Sequence, residues 1–333
     1  MADIQQYTST TGFSLEKLAR LAAEHAIGID VDVPIGSQVD GPMFSGRLMA
    51  HEVQPGLIAT ASDVTYLSDQ QLHSSSESTL MFGVLLNGER ETMEVLGHGI
   101  ITREFERPAL LGFSDKTNFK LNGERNQRLA AAGFILKGAF FDRFGDVVQD
   151  DGLAELRTFL SGEFRFELMA RSPRLLELAR VQLEHPYRGQ LANLFLESNT
   201  LALVVEVAEQ LKKERQMVAL LGRKHFDRVM EARNILDANL ANPPGTLALA
   251  GRVGINLTTL QANFKAVFGV TIFGYVRTQR LMMARILLRE HELAVAEAGY
   301  RVGFANPAAF TAAYRRYFGR PPSHDAREVK REQ

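Results

Sequence analysis

The spacing of apolar residues changes twice along this chain, and each change marks a new kind of structure. Residues 14–25 (SLEKLARLAAEH) open with Ser14 in a capping position and read as a short helix. From about residue 43 to 137 the period shortens. Stretches 57–66, 79–86, 103–113 and 129–137 are strand-length, rich in β-branched and aromatic residues, and separated by Gly, Pro and Asn. Asn87 and Gly88 form the strongest turn signal, a two-residue hairpin connection in which both positions accept positive φ. Many short strands punctuated in this way predict a barrel or a sandwich. The polar run Ser74, Ser75 and Ser76 reads as a loop. From Ala139 the helical period returns. Residues 173–183 form an amphipathic helix that His185 and Pro186 terminate, and 190–213 form a longer one, so the pair predicts a helical hairpin. Leu194, Leu201, Val205 and Ala208 share one face of the longer helix, with Phe195, Leu203 and Val207 near another. Two apolar faces fit either a homodimer interface or packing against the strands.

Beyond residue 245 one pattern is written twice, as TLALAGRVGINLTTLQANFKAVFG (246–269) and LAVAEAGYRVGFANPAAFTAAYRRYFG (293–319). Arg252, Val253 and Gly254 match Arg301, Val302 and Gly303. Leu260, Phe264, Phe268 and Gly269 then match Phe310, Tyr314, Phe318 and Gly319, with one extra residue in the second copy. In each copy a short helix ends at a glycine, where a left-handed backbone carries no steric cost, and the chain turns into a second helix. Asn256 and Asn306 sit at N-cap positions, the latter followed by Pro307 at the first helical position. The aromatic and leucine stripes fall at i, i+4 and i+8, one buried face per helix. A single helix pair with a glycine turn is common in helical proteins. Two matched copies predict two helix-turn-helix units.

The opposite faces of the second helices carry Thr258, Thr259, Gln261, Ala262 and Lys265 in the first copy, and Ala308, Ala309, Thr311, Ala312 and Arg315 in the second. Residues 271–289 lie between the copies with helical periodicity in Ile272, Tyr275, Val276, Leu281, Ala284 and Leu288, leaving Arg277, Arg280, Arg285 and Arg289 for the surface. Such a spacer helix is about 27 Å long at ~1.5 Å per residue. That length is comparable to one turn of duplex DNA, roughly 34 Å, so both second helices can enter successive major grooves.

Residues 223 to about 327 resemble the DNA-binding domain of the AraC/XylS family of transcription regulators, most closely in VAEAGYRVGFANPAAFTAAYRRYFGRPPS. The resemblance implies double-stranded DNA at promoter direct repeats as a partner, together with RNA polymerase. The chain departs from the family where a long polar side chain is common, since Ala262 and Ala312 stand there. Alanine can touch a thymine methyl but cannot pair with guanine, which leaves base reading to Gln261, Thr258 and Thr311. Lys265, Arg315 and Arg316 are then expected on phosphates, where they position without specifying.

The first 215 residues resemble, more loosely, the sensor part of AraC-type regulators that respond to ferric siderophores such as pyochelin and yersiniabactin. The likeness is clearest in LEHPYRGQLANLFLESNTLAL (183–203) and GFILKGAFFDRFGD (133–146). It implies a small-molecule effector of the ferric siderophore type, and the family implies a cupin-like barrel for the strands. The expected fold is therefore α+β, a cupin-like β-barrel with a helical hairpin followed by an all-α domain of two helix-turn-helix units joined by a linker helix. The expected division is 1–215 for sensing and dimerisation, 216–222 as linker and 223–327 for DNA. An effector pocket is expected among Phe82, Phe105, Phe113 and Phe119, which as barrel core would equally be ordinary packing.

Charge sharpens this division. The net charge is −1, yet residues 223–333 hold 17 Lys and Arg against 9 Asp and Glu, whereas the remainder holds 21 against 30. A basic third at +8 is the footprint of a polyanion partner, and an acidic two thirds at −9 is repelled by DNA. The chain has no cysteine, which excludes disulfides, thiolate metal sites and cysteine nucleophiles. No leader opens it, and runs such as 201–205 are far short of a membrane span, so a cytoplasmic protein without membrane contact is expected. The alternative is a cupin-type small-molecule enzyme with an appended helical domain, which needs two or three histidines and a carboxylate at one site. Here His25, His51, His73, His98, His185, His225, His291 and His324 are scattered singly, and no catalytic or metal-ligating residue is expected.

Overall fold

The computed structural model describes residues 6–23, 27–32, 42–87, 90–144, 152–289 and 293–328. The chain divides into two compact units, Met1–Lys212 and Lys213–Gln333. The first opens with β1 (Gln6–Phe13), α1 (Leu15–Ala23) and β2 (Ile27–Asp32). There follow β3 (Phe44–Gln54), β4 (Leu57–Tyr66), β5 (Gln70–Ser76), β6 (Thr79–Asn87), β7 (Arg90–Val95), β8 (Gly99–Glu104), β9 (Pro108–Phe113), β10 (Thr117–Gly123) and β11 (Arg128–Leu136). The unit then runs through α2 (Ala139–Asp142), α3 (Leu153–Leu160), β12 (Arg165–Leu168), α4 (Pro173–Glu184) and α5 (Gly189–Leu221).

The expected cupin-like barrel does not form. The strands make two antiparallel sheets, one of seven in the order β1-β3-β4-β11-β6-β9-β12 and one of five in the order β2-β5-β10-β7-β8. Closure requires the outer strands to pair, and among the described residues the two sheets keep separate edges. Strand-length alternation shows which face of a strand is buried and not which edge finds a partner, so it cannot tell a barrel from stacked sheets. The larger sheet is covered on both faces. Leu80, Phe82, Leu110 and Phe134 pack against Phe140, Phe159, Leu175, Leu196 and Leu203 of α2–α5, whereas Leu111 and Phe113 meet Val95, Ile101 and Phe119 of the smaller sheet. This double cover explains why β9 (PALLGF) is buried at every position.

Three local expectations also change. The turn at Asn87 and Gly88 falls partly outside the described residues, but the strands it joins are not a hairpin, since β6 pairs with β9 and β11 and β7 with β8 and β10. The stretch 103–113 is two strands in different sheets, broken at Glu106, whose φ is +52°. Ser74–Ser76 lie in β5, hydrogen-bonded on both sides by β2 and β10, so sheet pairing overrides the polar composition.

The helical hairpin is present. Ser172 accepts a hydrogen bond from the Leu175 N–H at 3.3 Å to cap α4, and Pro173 follows at the first turn. On α5, Leu203, Val207 and Ala208 are buried in the core, while Leu194 and Val205 stand exposed. By length and a mean hydropathy of 1.4 over its most apolar window, α5 meets the arithmetic of a membrane span; its face of Leu196, Leu203, Val204, Val207 and Leu211 is packed in the core. Buried Gln182 ties the layers together: its amide donates to the Thr60 and Gly133 carbonyls of β4 and β11 at 3.0 and 2.6 Å, and its oxygen accepts from Asn199 and Thr200 of α5. Residues 216–221 belong to α5, and Gly222, at φ +80°, separates it from the next helix.

The second unit is helical among its described residues: α6 (Arg223–Ala238), α7 (Thr246–Val253), α8 (Leu257–Phe268), α9 (Ile272–Arg289), α10 (Val295–Arg301), α11 (Pro307–Phe318) and α12 (Pro322–Glu328). It has two hydrophobic cores. Val229, Leu236, Leu249, Val253, Leu260 and Phe264 form the first, and Ala298, Val302, Phe310 and Tyr314 belong to the second. α9 feeds both, with Ile272, Tyr275 and Val276 in one and Leu281, Ala284 and Leu288 in the other.

At the crossing, Arg280 donates to three backbone carbonyls: Nε to Leu240 at 2.7 Å, Nη2 to Ala241 at 3.0 Å and Nη1 to Gly303 at 2.9 Å. It is a staple and not the surface cation its position suggested. Gly303, at φ +93°, is the turn glycine of the second copy, and a Cβ there would lie 2.3 Å from the Ala241 carbonyl oxygen. Replacing Arg280 with Met should therefore cost about 2–4 kcal/mol, because three carbonyls lose a charged donor. Gly303→Ala should cost about 2–3 kcal/mol through strain and clash. Urea unfolding of the full chain measures both, and unchanged midpoints would refute the staple.

Candidate nucleic-acid interface and effector cavity

The two copies build their second helices in the same way. Gly254, at φ +69°, ends α7, and the Asn256 side chain accepts from the Thr259 N–H at 2.8 Å to start α8. In the second copy the Asn306 side chain accepts from the Ala308 N–H at 2.8 Å to start α11. Each helix stops at a left-handed glycine, Gly269 at φ +71° and Gly319 at φ +74°. Leu260, Phe264, Phe310 and Tyr314 are wholly buried, which fixes the rotation of both helices about their axes. The outer faces follow. Thr258, Gln261, Ala262, Lys265, Ala308, Ala312, Arg315 and Arg316 are exposed, and Thr259 and Thr311 are half-buried.

On α11 the small side chains leave a hollow bounded by Pro307, Ala308, Thr311, Ala312, Arg315 and Arg316. The helix is held from below by Asp325 of α12, a fully buried carboxylate that accepts from Tyr314 Oη at 2.7 Å and Arg320 Nη2 at 2.6 Å and pairs with Arg285 Nε at 3.6 Å. Burial, then the bond to Asp325, holds the Tyr314 phenol above its ordinary pKa. Arg285 also lies over the Phe318 ring at 4.9 Å. Sequence reasoning missed this network and placed Arg285 on the surface. Beside the first core Tyr275 of α9 donates to Asp237 of α6 at 2.9 Å.

These pairings sort the cations. Arg280, Arg285 and Arg320 hold the fold, and Arg228 and Arg301 pair with Glu231 and Glu297. Lys265, Arg315 and Arg316 have no acidic partner within salt-bridge distance among the described residues.

In the first unit a cavity of about 350 Å³ lies between the sheets. The larger sheet presents small side chains to it, Ala50, Thr60, Ser62, Gly83, Ala109 and Ala131. Facing them are Ser74, Met93, Ile101, Arg103, Phe119 and Leu121 of the smaller sheet. Of the four phenylalanines expected to line an effector pocket, Phe119 faces the cavity, and Phe82 borders it from β6 while its ring stacks on Phe134 in the core beneath α2–α5. Phe113 is packed in the core beside Phe119, with ring centroids 5.5 Å apart, and Phe105 falls in the break between β8 and β9. Among the described residues no group of three His, Cys, Asp or Glu side chains is placed to hold a metal ion.

Comparison with known proteins agrees with this geometry. A family profile described as the regulatory protein PchR N-terminal domain matches residues 45–221, and one described as a helix-turn-helix domain matches residues 249–328. The chain belongs to the PchR-like members of the AraC/XylS family. It is 35% identical over 118 residues to the regulatory protein PchR of Pseudomonas aeruginosa, covering 35% of this chain and 38% of that protein. It is 36% identical over 87 residues to the HTH-type transcriptional activator RhaS of Escherichia coli O139:H28, covering 26% of this chain and 31% of that one. The matches thus span less than two fifths of either relative. A solved structure of an AraC-type regulator from Chromobacterium violaceum aligns at 27% identity over 31% of this chain and 92% of that chain, with a TM-score of 0.30.

Each cap should contribute about 1 kcal/mol, so Asn256→Ala and Asn306→Ala should each lower stability by that amount. Chemical denaturation gives the values, and a change under a few tenths of a kcal/mol would show that the caps are idle.

Proposed function

We propose that this chain is a cytoplasmic, sequence-specific transcription regulator that grips duplex DNA at a promoter direct repeat through α8 and α11. The carrying observation is the pair of capped, core-anchored helices whose outer faces stand exposed and whose cations Lys265, Arg315 and Arg316 have no acidic partner among the described residues. In this reading Gln261, Thr258 and Thr311 read base edges, Thr259 supports them, and Ala262, Ala308 and Ala312 allow close approach and meet thymine methyls. The three cations sit on phosphates. Residues 1–215 sense, 216–222 link and 223–327 bind DNA. Regulation in this proposal acts on RNA polymerase at the promoter; the relative RhaS is named a transcriptional activator.

The cavity between the sheets is the effector site in this proposal, and a ferric siderophore is the effector that the PchR relationship favours. With no metal-holding cluster among the described residues, iron would arrive inside its own chelate. The Thr60 carbonyl, on a strand that walls the cavity, is bound by Gln182, and Gln182 is bound by α5, the helix that runs on to Leu221. A ligand that shifts β4 therefore biases α5. The exposed Leu191, Leu194 and Val205 of α5 support a homodimer face on the same helix.

Binding to a promoter direct repeat should weaken by about 0.9 log unit per log unit of salt for each phosphate neutralised. Lys265→Ala should lower affinity for every sequence alike, whereas Gln261→Ala should relax discrimination at one half-site by about 1–3 kcal/mol. Mobility-shift titrations at several salt concentrations check both, and a flat salt response would sink the reading. An iron-loaded siderophore should raise the melting temperature of the chain, and Ala131→Phe, which fills the cavity, should abolish that shift.

A further inference from the structure

The cavity wall contains one charge that packing does not explain. Glu91 of β7 and Arg103 of β8 are direct cross-strand partners, and the Arg103 Nη1 donates to Glu91 Oε2 at 2.7 Å. The Glu91 side chain is only 15% exposed and that of Arg103 20%, although the neighbours on the same face are Met93, Val95 and Ile101. An ion pair in an apolar layer gains little net stability, because desolvation offsets the attraction. The two partners are not equivalent. Arg103 lines the cavity and Glu91 does not. A guanidinium carries five N–H donors, and here one of them is used by Glu91. Across the cavity the guanidinium rests against Gly83 of β6, where a Cβ would lie 2.9 Å from Arg103 Nη2.

The geometry points to an anion-reading site, in which Arg103 receives the carboxylate of a flat, otherwise apolar ligand held between Phe119 and the small residues of the larger sheet. The planar fork suits a carboxylate's two oxygens, and the cavity size suits a small organic molecule. Glu91 keeps Arg103 compensated in the empty state and competes with the ligand for it. This rests on the cavity being the effector site.

Three probes that share one ring system and differ in charge test it by titration calorimetry on the full chain: 1-naphthoate, neutral 1-naphthalenemethanol and cationic 1-naphthylmethylamine. The wild-type chain should bind naphthoate at least about tenfold more tightly than the other two. Glu91→Gln should widen that preference by freeing Arg103. The Arg103→Gln, Glu91→Gln double variant leaves no uncompensated charge in the wall and should bind the three alike. Equal wild-type affinities that Ala131→Phe abolishes would overturn the anion site and leave the effector cavity standing. A preference for the cation, or an anion preference that survives in the double variant, would also overturn it. Absence of binding by all three probes would overturn the anion site, and the siderophore melting shift then decides the cavity reading by itself.

Discussion

Three backbone carbonyls, two from the α6–α7 connection and one from the turn of the second helix-turn-helix unit, converge on one guanidinium, and the geometry of the second unit depends on that convergence. The two cores share only α9, and a single helix leaves the bodies at its ends free to twist about its axis. Arg280 removes that freedom, since its planar fork is met from the α6–α7 connection by Leu240 and Ala241 and from the second turn by Gly303. Burial pulls this guanidinium's pKa down, and arginine in a protein stays a charged donor nonetheless. A carbonyl partner suits the purpose better than a carboxylate. It belongs to the backbone whose position matters, and it carries no side-chain entropy of its own.

The first unit is organised by a different constraint, the contrast between large and small side chains across the sheet gap. Phe113 and Phe119 belong to one hydrophobic cluster of this unit, and Phe13, Phe44 and Tyr66 to another. In the gap Ala50, Gly83, Ala109 and Ala131 are too short to reach the facing sheet, so a space is left that close packing would otherwise fill. The Gln182 knot then makes the floor of that space stiff. Four hydrogen bonds to one buried amide leave β4, β11, α4 and α5 little independent motion, and a perturbation of the floor is passed to α5 rather than absorbed.

What could be read from the chain alone was whatever depends on nearby residues. The Leu260-Phe264 and Phe310-Tyr314 stripes, the asparagine caps and the terminating glycines all act within a turn or two of helix, and the two helix-turn-helix units were legible for that reason. β4 and β11 were legible from their own composition. Sheet pairing was not. β5 is polar except for Leu72 and is a strand only because β2 and β10 lie on either side of it, and barrel closure failed because no local signal governs edges. Arg280 was misread as a surface cation because its partners are 40, 39 and 23 residues away and are carbonyls, which every residue carries. Arg103 escaped notice because its partner Glu91 is 12 residues away on another strand and its place in the cavity wall depends on how the sheets pair.

Net charge is consequently a blunt guide to the nucleic-acid face. The basic third of the chain owes its excess to 17 cations, yet several of them are held by the fold: Arg280 by carbonyls, Arg285 and Arg320 by Asp325, and Arg228 and Arg301 by glutamates. A cation already bound to its own protein releases no condensed counterion from a phosphate. The number that governs salt dependence is smaller than the net charge implies. It is set by residues such as Lys265, Arg315 and Arg316, which stand on the outer faces of α8 and α11, one turn beyond the threonines and Gln261. Helix periodicity places these cations beside the candidate base readers, so positioning and reading would be performed from the same two faces.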